Sequence, residues 1–178
     1  MKKLFLSILV IAVPLFGLSQ SAFDKYTNSD KVGSISINKS MLGIVAQMSA
    51  NDGDQESKDF IELAKSIEDI NVFVSEDATA SADMAMTMKR YIKKAKLEEM
   101  MKVRDGDTRV SFYIKNGKKE GFVKELLMFV TGIDKDSGDS PIETVLVTMT
   151  GNIDLNKVGA LTNKMNLPKE LKKAEGKK

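Results

Sequence analysis

The sequence predicts an α+β fold, an antiparallel β-sheet with a C-terminal meander packed by about four helices in a single layer pair. Three observations predict it. Apolar residues of the first half recur at helical spacing, as Met41, Ile44, Val45 and Met48 do at i, i+3, i+4 and i+7. In the second half they alternate at strand spacing, as in Val110, Phe112 and Ile114. No internal repeat links the halves, which favours one domain with helices on one face of the sheet, or partly on both, over tandem copies.

Taken in order, residues 23–26 read as a short helical lead-in and residues 28–31 as a polar turn. Residues 32–37 form a strand with Gly33, Ile35 and Ile37 on one side. The helix carrying Met41 to Met48 is broken by the polar stretch at 51–56, and Phe60, Ile61, Ala64 and Ile67 mark a second one. Residues 70–74, rich in β-branched and aromatic side chains, suit a buried strand. A cluster of cap candidates at 77–81 then opens a third helix running to about Lys94, with Met84, Met88, Tyr91 or Ile92, and Ala95 on its apolar face.

The meander begins with a strand at 98–104 that ends at the turn Asp105–Gly106. Residues 109–115 alternate, with Val110, Phe112 and Ile114 on one face and Ser111, Tyr113 and Lys115 on the other. Asn116 and Gly117 carry the signal of a type I′ hairpin, whose two central residues both need positive φ. Residues 122–131 return as a long strand, a polar loop at 134–141 follows, and residues 144–150 form the last strand. A final helix is expected to align Leu155, Val158, Leu161 and Met165, with Asp154 as its cap and Pro168 as its stop.

The first nineteen residues are expected to be a signal peptide, and they set the expected location. Lys2 and Lys3 precede an apolar run at 4–18, and Gly17 and Ser19 supply the small residues of a cleavage site. The run carries Pro14 and falls short of the roughly 20 apolar residues that span a bilayer. Cleavage near Ser19 leaves a single domain over 20–168 and a basic tail over 169–178, periplasmic or secreted and without stable membrane insertion. Losing Lys2 and Lys3 lowers the basic residues from 27 to 25, equal to the 25 acidic ones. A neutral chain with few aromatic residues gives no support to nucleic-acid binding.

The chain has no Cys and no His, which excludes Ser–His–Asp and Cys–His nucleophilic machinery, thiol redox chemistry and the usual zinc sites. No cofactor is expected. The strand at 122–131 is the sharpest functional hint, since Leu126, Met128 and Val130 lie on one face and Leu127 and Phe129 on the other. Such a strand is covered on both sides by its own domain, or it turns one face to a partner or ligand. Phe122, Leu126, Met128 and Val130 are the candidate contact residues. Glu125 joins them as a charge inside an apolar strand, read either as a buried functional carboxylate or as an outward residue paired with Lys.

The run from Lys89, RYIKKAKLEEMMKVRDGDTRVSFYIKNGKKEGFVKELLMFV and then VLVTMTGNIDLNKVGAL, together with FDKYTNSDKVGSISINKSML, resembles the domain-of-unknown-function family numbered 4252. Lys124 to Leu126 and Thr150 to Leu155 carry most of that resemblance. It implies an exported α+β protein of the Gram-negative envelope, and it supplies no functional residues.

The expectation is therefore a non-catalytic binding or accessory module that contacts an envelope protein or a hydrophobic small ligand through an apolar sheet face. Two alternatives belong to other classes. A hydrolase would place two carboxylates, from Glu98, Glu99, Glu125, Glu143 and Asp154, across a cleft. A metal module would converge Met84, Met86, Met88, Met100 and Met101, although Met86 lies off the helical face that Met84 and Met88 share. Asp52, Asp54 and Glu56, and likewise Asp134 and Asp136, begin calcium-like loops that lack the glycine and the final carboxylate in register.

Overall fold

The computed structural model describes residues 22–48, 54–133 and 142–158. After a 3-10 turn at Asp24–Tyr26 come β1 (Gly33–Asn38), α1 (Lys39–Met48), α2 (Gln55–Ser66), β2 (Ile67–Ser75) and α3 (Ala78–Ala95). The second half holds β3 (Glu98–Asp105), β4 (Thr108–Asn116), β5 (Phe122–Thr131) and β6 (Thr144–Asp154), then a 3-10 turn at Leu155–Lys157. The expected leader, the loop at 134–141 and the tail lie outside the described residues.

All strand pairs are antiparallel, in the order β1-β2-β6-β5-β4-β3. The meander predicted for the second half is present, and β2 adds to its last strand. The two longest strands, β5 and β6, therefore sit in the middle. Leu127 and Leu146 are fully buried on one face, and Leu126 and Met149 are buried on the other. Two-sided burial is what an apolar strand in the centre of a sheet requires.

Helices cover both faces. Leu42 and Ala46 of α1 and Phe60, Leu63 and Ala64 of α2 pack on Ile70, Leu126, Met149 and Ile153. Met84 and Met88 of α3, with Phe23 and Tyr26, pack on Phe73, Leu127, Phe129 and Leu146. Asp54 caps α2 by accepting from the Ser57 amide at 2.6 Å, and Asp77 caps α3 by accepting from the Ala80 amide at 2.8 Å. Helices on one face only would leave one of these two clusters in water.

Two further expectations change. Of the stripe Met41, Ile44, Val45 and Met48, Val45 packs partly against the core; the other three are exposed, and α1 turns Leu42 and Ala46 to the sheet. Two small or branched residues suffice there because α1 lies close over β1 and β2 while α2 fills β2 and β6. The β4–β5 hairpin exists without a two-residue type I′ turn. Its loop spans residues 117–121, the Gly117 amide donates to the Phe122 carbonyl at 2.8 Å, and positive φ falls on Gly121. The final helix is described only at its start, where the 3-10 turn at Leu155–Lys157, capped by Asp154 as expected, leads into helical backbone at Val158; residues beyond 158 lie outside the description.

Gly151 stands where the backbone leaves no room for a side chain. Its φ is +144°, and an added Cβ would press on the Ser66 carbonyl and stand 2.8 Å from Ile67 Cα, where α2 passes into β2. Only glycine fits a backbone approach of that kind. Gly151→Ala is expected to lower stability by about 2–3 kcal/mol, from the strained φ and the displaced junction together. Urea denaturation followed by circular dichroism checks it; an unchanged midpoint would show that the junction is not tight.

Candidate functional site

The candidate residues separate on folding. Cross-strand register defines the α1–α2 side of the sheet by three apolar rows. The first is Ile37, Ile70, Met149, Leu126 and Ile114; the second is Ile35, Val72, Val147, Met128, Phe112 and Met101. The third is Gly33, Val74, Val145, Val130, Val110 and Val103. Leu126, Met128 and Val130 thus share one face, as their spacing predicted. They are 8%, 7% and 2% exposed, so they are buried and do not present an open patch.

Phe122 does not join them. It stands half-buried at the start of β5, opposite Asp154, with the Lys119 ammonium 5.7 Å from its ring centroid. A register shift between Val123 and Glu125 separates it from the rest of the strand. Phe122 instead lines a shallow cleft of about 260 Å³ with the hairpin loop and Leu155.

Leu126 is covered by α1 and α2, whereas Met128 and Val130 belong to a third apolar cluster with Val110, Val103, Phe112, Ile133, Val145 and Val147. Every member of that cluster comes from the sheet or from Ile133, and none from a helix. Its middle row runs out through Val147 and Val72 to Ile35 on β1, which is 59% exposed.

Exposure is concentrated at that corner. Of six large apolar side chains exposed among the described residues, four, Ile35, Met41, Ile44 and Met48, come from β1 and α1. Met86 and Met100 are the others. Sequence reasoning marked the same α1 residues but assigned them to the core, because periodicity identifies a stripe without saying which stripe faces inward.

Glu125 occupies the opposite face, beneath α3. It is 7% exposed, so the outward, Lys-paired reading gives way to the buried one. Its neighbours across the strands are Lys115 and Thr150, and the Tyr91 hydroxyl donates to its carboxylate. Burial first, and then Glu125, push the Tyr91 pKa far above the ordinary tyrosine range. Tyrosine carboxylate pairs recur on this face. The Tyr26 hydroxyl donates to Asp83 at 2.7 Å, and the Tyr113 hydroxyl to Glu99 at 3.2 Å; burial raises both of these phenols as well. A phenol held in its neutral form is a structural donor, since base or nucleophile work would need the reverse shift.

Beside Tyr91 lies a cleft of about 280 Å³ lined by Ala22, Lys25, Thr87, Arg90 and Lys94. Lys25 is bonded to Asp83, which is held below the usual carboxylate range, and Arg90 donates to Thr87 at 3.3 Å. Of the other carboxylates considered, Glu98 accepts from Asn116, Glu99 from Tyr113, and Asp154 caps the last turn. Met84 and Met88 are buried in the core while Met86 is exposed, so the helix does not bring the three sulfurs together. Asp54 is a helix cap; Asp52, Asp134 and Asp136 lie outside the described residues.

With the arrangement described, comparison with known proteins gives one result. The family model described as a domain of unknown function, DUF4252, matches residues 26–161. The chain belongs to this family. The match runs from the 3-10 turn at Tyr26 through β6, so the sheet and all three described helices are the DUF4252 domain. No curated protein and no solved structure matches the chain significantly.

The three raised tyrosines give a pH dependence with a definite sign. The folded chain keeps phenol protons that the unfolded chain releases near pH 10, so stability is complete below that pH and falls as pH rises above it. In a Tyr26→Phe, Tyr113→Phe background Tyr91 is the sole tyrosine, and Glu125→Gln is expected to move its titration downward. Tyrosinate absorbance measures both, and a Tyr91 that titrates in the ordinary range in folded protein would refute the buried pairing.

Proposed function

We propose that this DUF4252 chain is an exported, non-catalytic binding or accessory module that docks an envelope partner through apolar surface on the α1–α2 side of its sheet. The observation that supports this reading is the clustering of exposed Ile35, Met41, Ile44 and Met48 on two consecutive elements. Scattered exposed apolar residues are ordinary, but a group of them on one corner marks an interaction surface. On this reading the docking surface is the β1–α1 corner, three strands from the buried Met128 along one apolar row.

Neither alternative gains support from the side chains. Of the carboxylates weighed for hydrolysis, Glu98, Glu99 and Asp154 engage separate partners, and of the methionines weighed for metal binding, Met84 and Met88 are buried while Met86 and Met100 are exposed. No group of three or more metal-ligating His, Cys, Asp or Glu side chains occurs among the described residues. The corner, whose only charge between Gly33 and Met48 is Lys39, suits an apolar protein surface or a hydrophobic ligand.

A photo-crosslinking side chain in place of Ile44 is expected to give a discrete adduct in the envelope fraction, and one in place of Met86, exposed on α3, none. Equal labelling from both positions, or no adduct from Ile44, would overturn the proposal. Met41→Lys with Ile44→Lys is expected to abolish the adduct formed from Met48 while leaving the thermal midpoint within about 2 °C, as surface changes usually do.

A further inference from the structure

The two edges of the sheet are built differently. β3 carries Glu98, Glu99, Lys102, Arg104 and Asp105 among its eight residues, and its pairing with β4 is interrupted between Glu99 and Met101. Charges and bulges of this kind keep an edge from pairing with another chain. β1 has the sequence GSISIN, with no charge and no proline, and it pairs with β2 in unbroken register. Its outer side has no strand partner among the described residues. The segment from Gly33 to Met48 contains one charged residue, Lys39. This edge lacks the devices that guard the other one, and α1 lies over it.

We infer, resting on the binding reading above, that the partner at this corner is a second copy of the chain, joined by antiparallel pairing of β1 with β1 into one continuous sheet. Antiparallel pairing of two identical strands requires a two-fold axis perpendicular to the sheet. Such an axis preserves faces, so residues of like parity meet. Ile35 falls opposite Ile35 or Ile37 of the second copy, and Ser34 or Ser36 opposite serine. Isoleucine meets isoleucine without a like-charge contact, whereas β3 paired with itself would bring its charged residues together.

The same axis keeps both α1 helices on one side of the sheet. Because α1 lies over β1 and β2, it is the helix nearest the seam. β1 itself carries no charge, so the affinity of the strand pairing depends little on salt.

The test is sedimentation equilibrium of the chain from Gln20 onward, which holds every described element, from submicromolar to hundreds of micromolar. A monomer–dimer equilibrium insensitive to salt is expected. Ile35→Lys sets two lysines at or beside the axis and is expected to weaken it on the order of 100-fold, while Met86→Lys leaves it unchanged. Because the chain has no native Cys, Ile35→Cys or Ile37→Cys is expected to give a disulfide-linked dimer under mild oxidation, and Met86→Cys none. A chain that stays monomeric throughout, or a dimer indifferent to Ile35→Lys, overturns the second copy. If the chain is monomeric and Ile44 crosslinks to a different protein, the second copy falls and the binding proposal stands.

Discussion

Two central strands with apolar side chains on both faces set the terms for this fold. β5 and β6 pair along nearly their whole length, so Leu126 and Met149 meet on one side while Leu127 and Thr148 meet on the other. The ladder satisfies their backbone groups, but neither face can be left to water. The chain meets that demand with α1 and α2 over one face and α3 over the other. Gly151 lets the α2–β2 junction close against β6, so the helical cover on one face depends on a missing Cβ in the central pair.

The two faces are finished by different chemistry. On the α3 side, Tyr26, Tyr91 and Tyr113 bury their rings in the core region and send their hydroxyls to Asp83, Glu125 and Glu99. Each phenol thus combines apolar packing with a satisfied polar end. On the α1–α2 side the finish is almost entirely apolar, and it continues to the β1 edge without a charge in the strand. Lys157 is bonded to Asp59 and Glu62 and fastens the last turn to α2 at the far end of that face. One side of the molecule is closed by hydrogen bonds, and the other ends in exposed hydrocarbon.

The candidate site was legible in part. The alternation in β5 placed Leu126, Met128 and Val130 on one face correctly, because strand parity is fixed by covalent geometry. It could not reveal that Phe122 falls outside this set, since the register shift between Val123 and Glu125 arises from pairing with β6. Glu125 stood out as a charge among apolar residues, but its burial beneath α3 depends on a tyrosine more than thirty positions earlier. The exposed stripe of α1 was visible as a pattern and assigned to the wrong environment. Leu42 and Ala46 do the packing instead, because α2 lies alongside and leaves α1 little sheet to cover.

Periodicity, caps and turn residues by themselves determined the α+β class, the meander, the order of elements and the caps at Asp77 and Asp154, all of which depend on neighbours in sequence. The family could be read there too, from short motifs in order. Tertiary structure alone decided that helices cover both faces, that β2 joins β6, and that the 117–121 loop replaces a two-residue turn. It also decided which edge is guarded by charge and which apolar stripe meets water. The physical reason is that burial is a property of pairs of surfaces: a sequence specifies each surface, and the partner it receives is fixed only when distant segments meet.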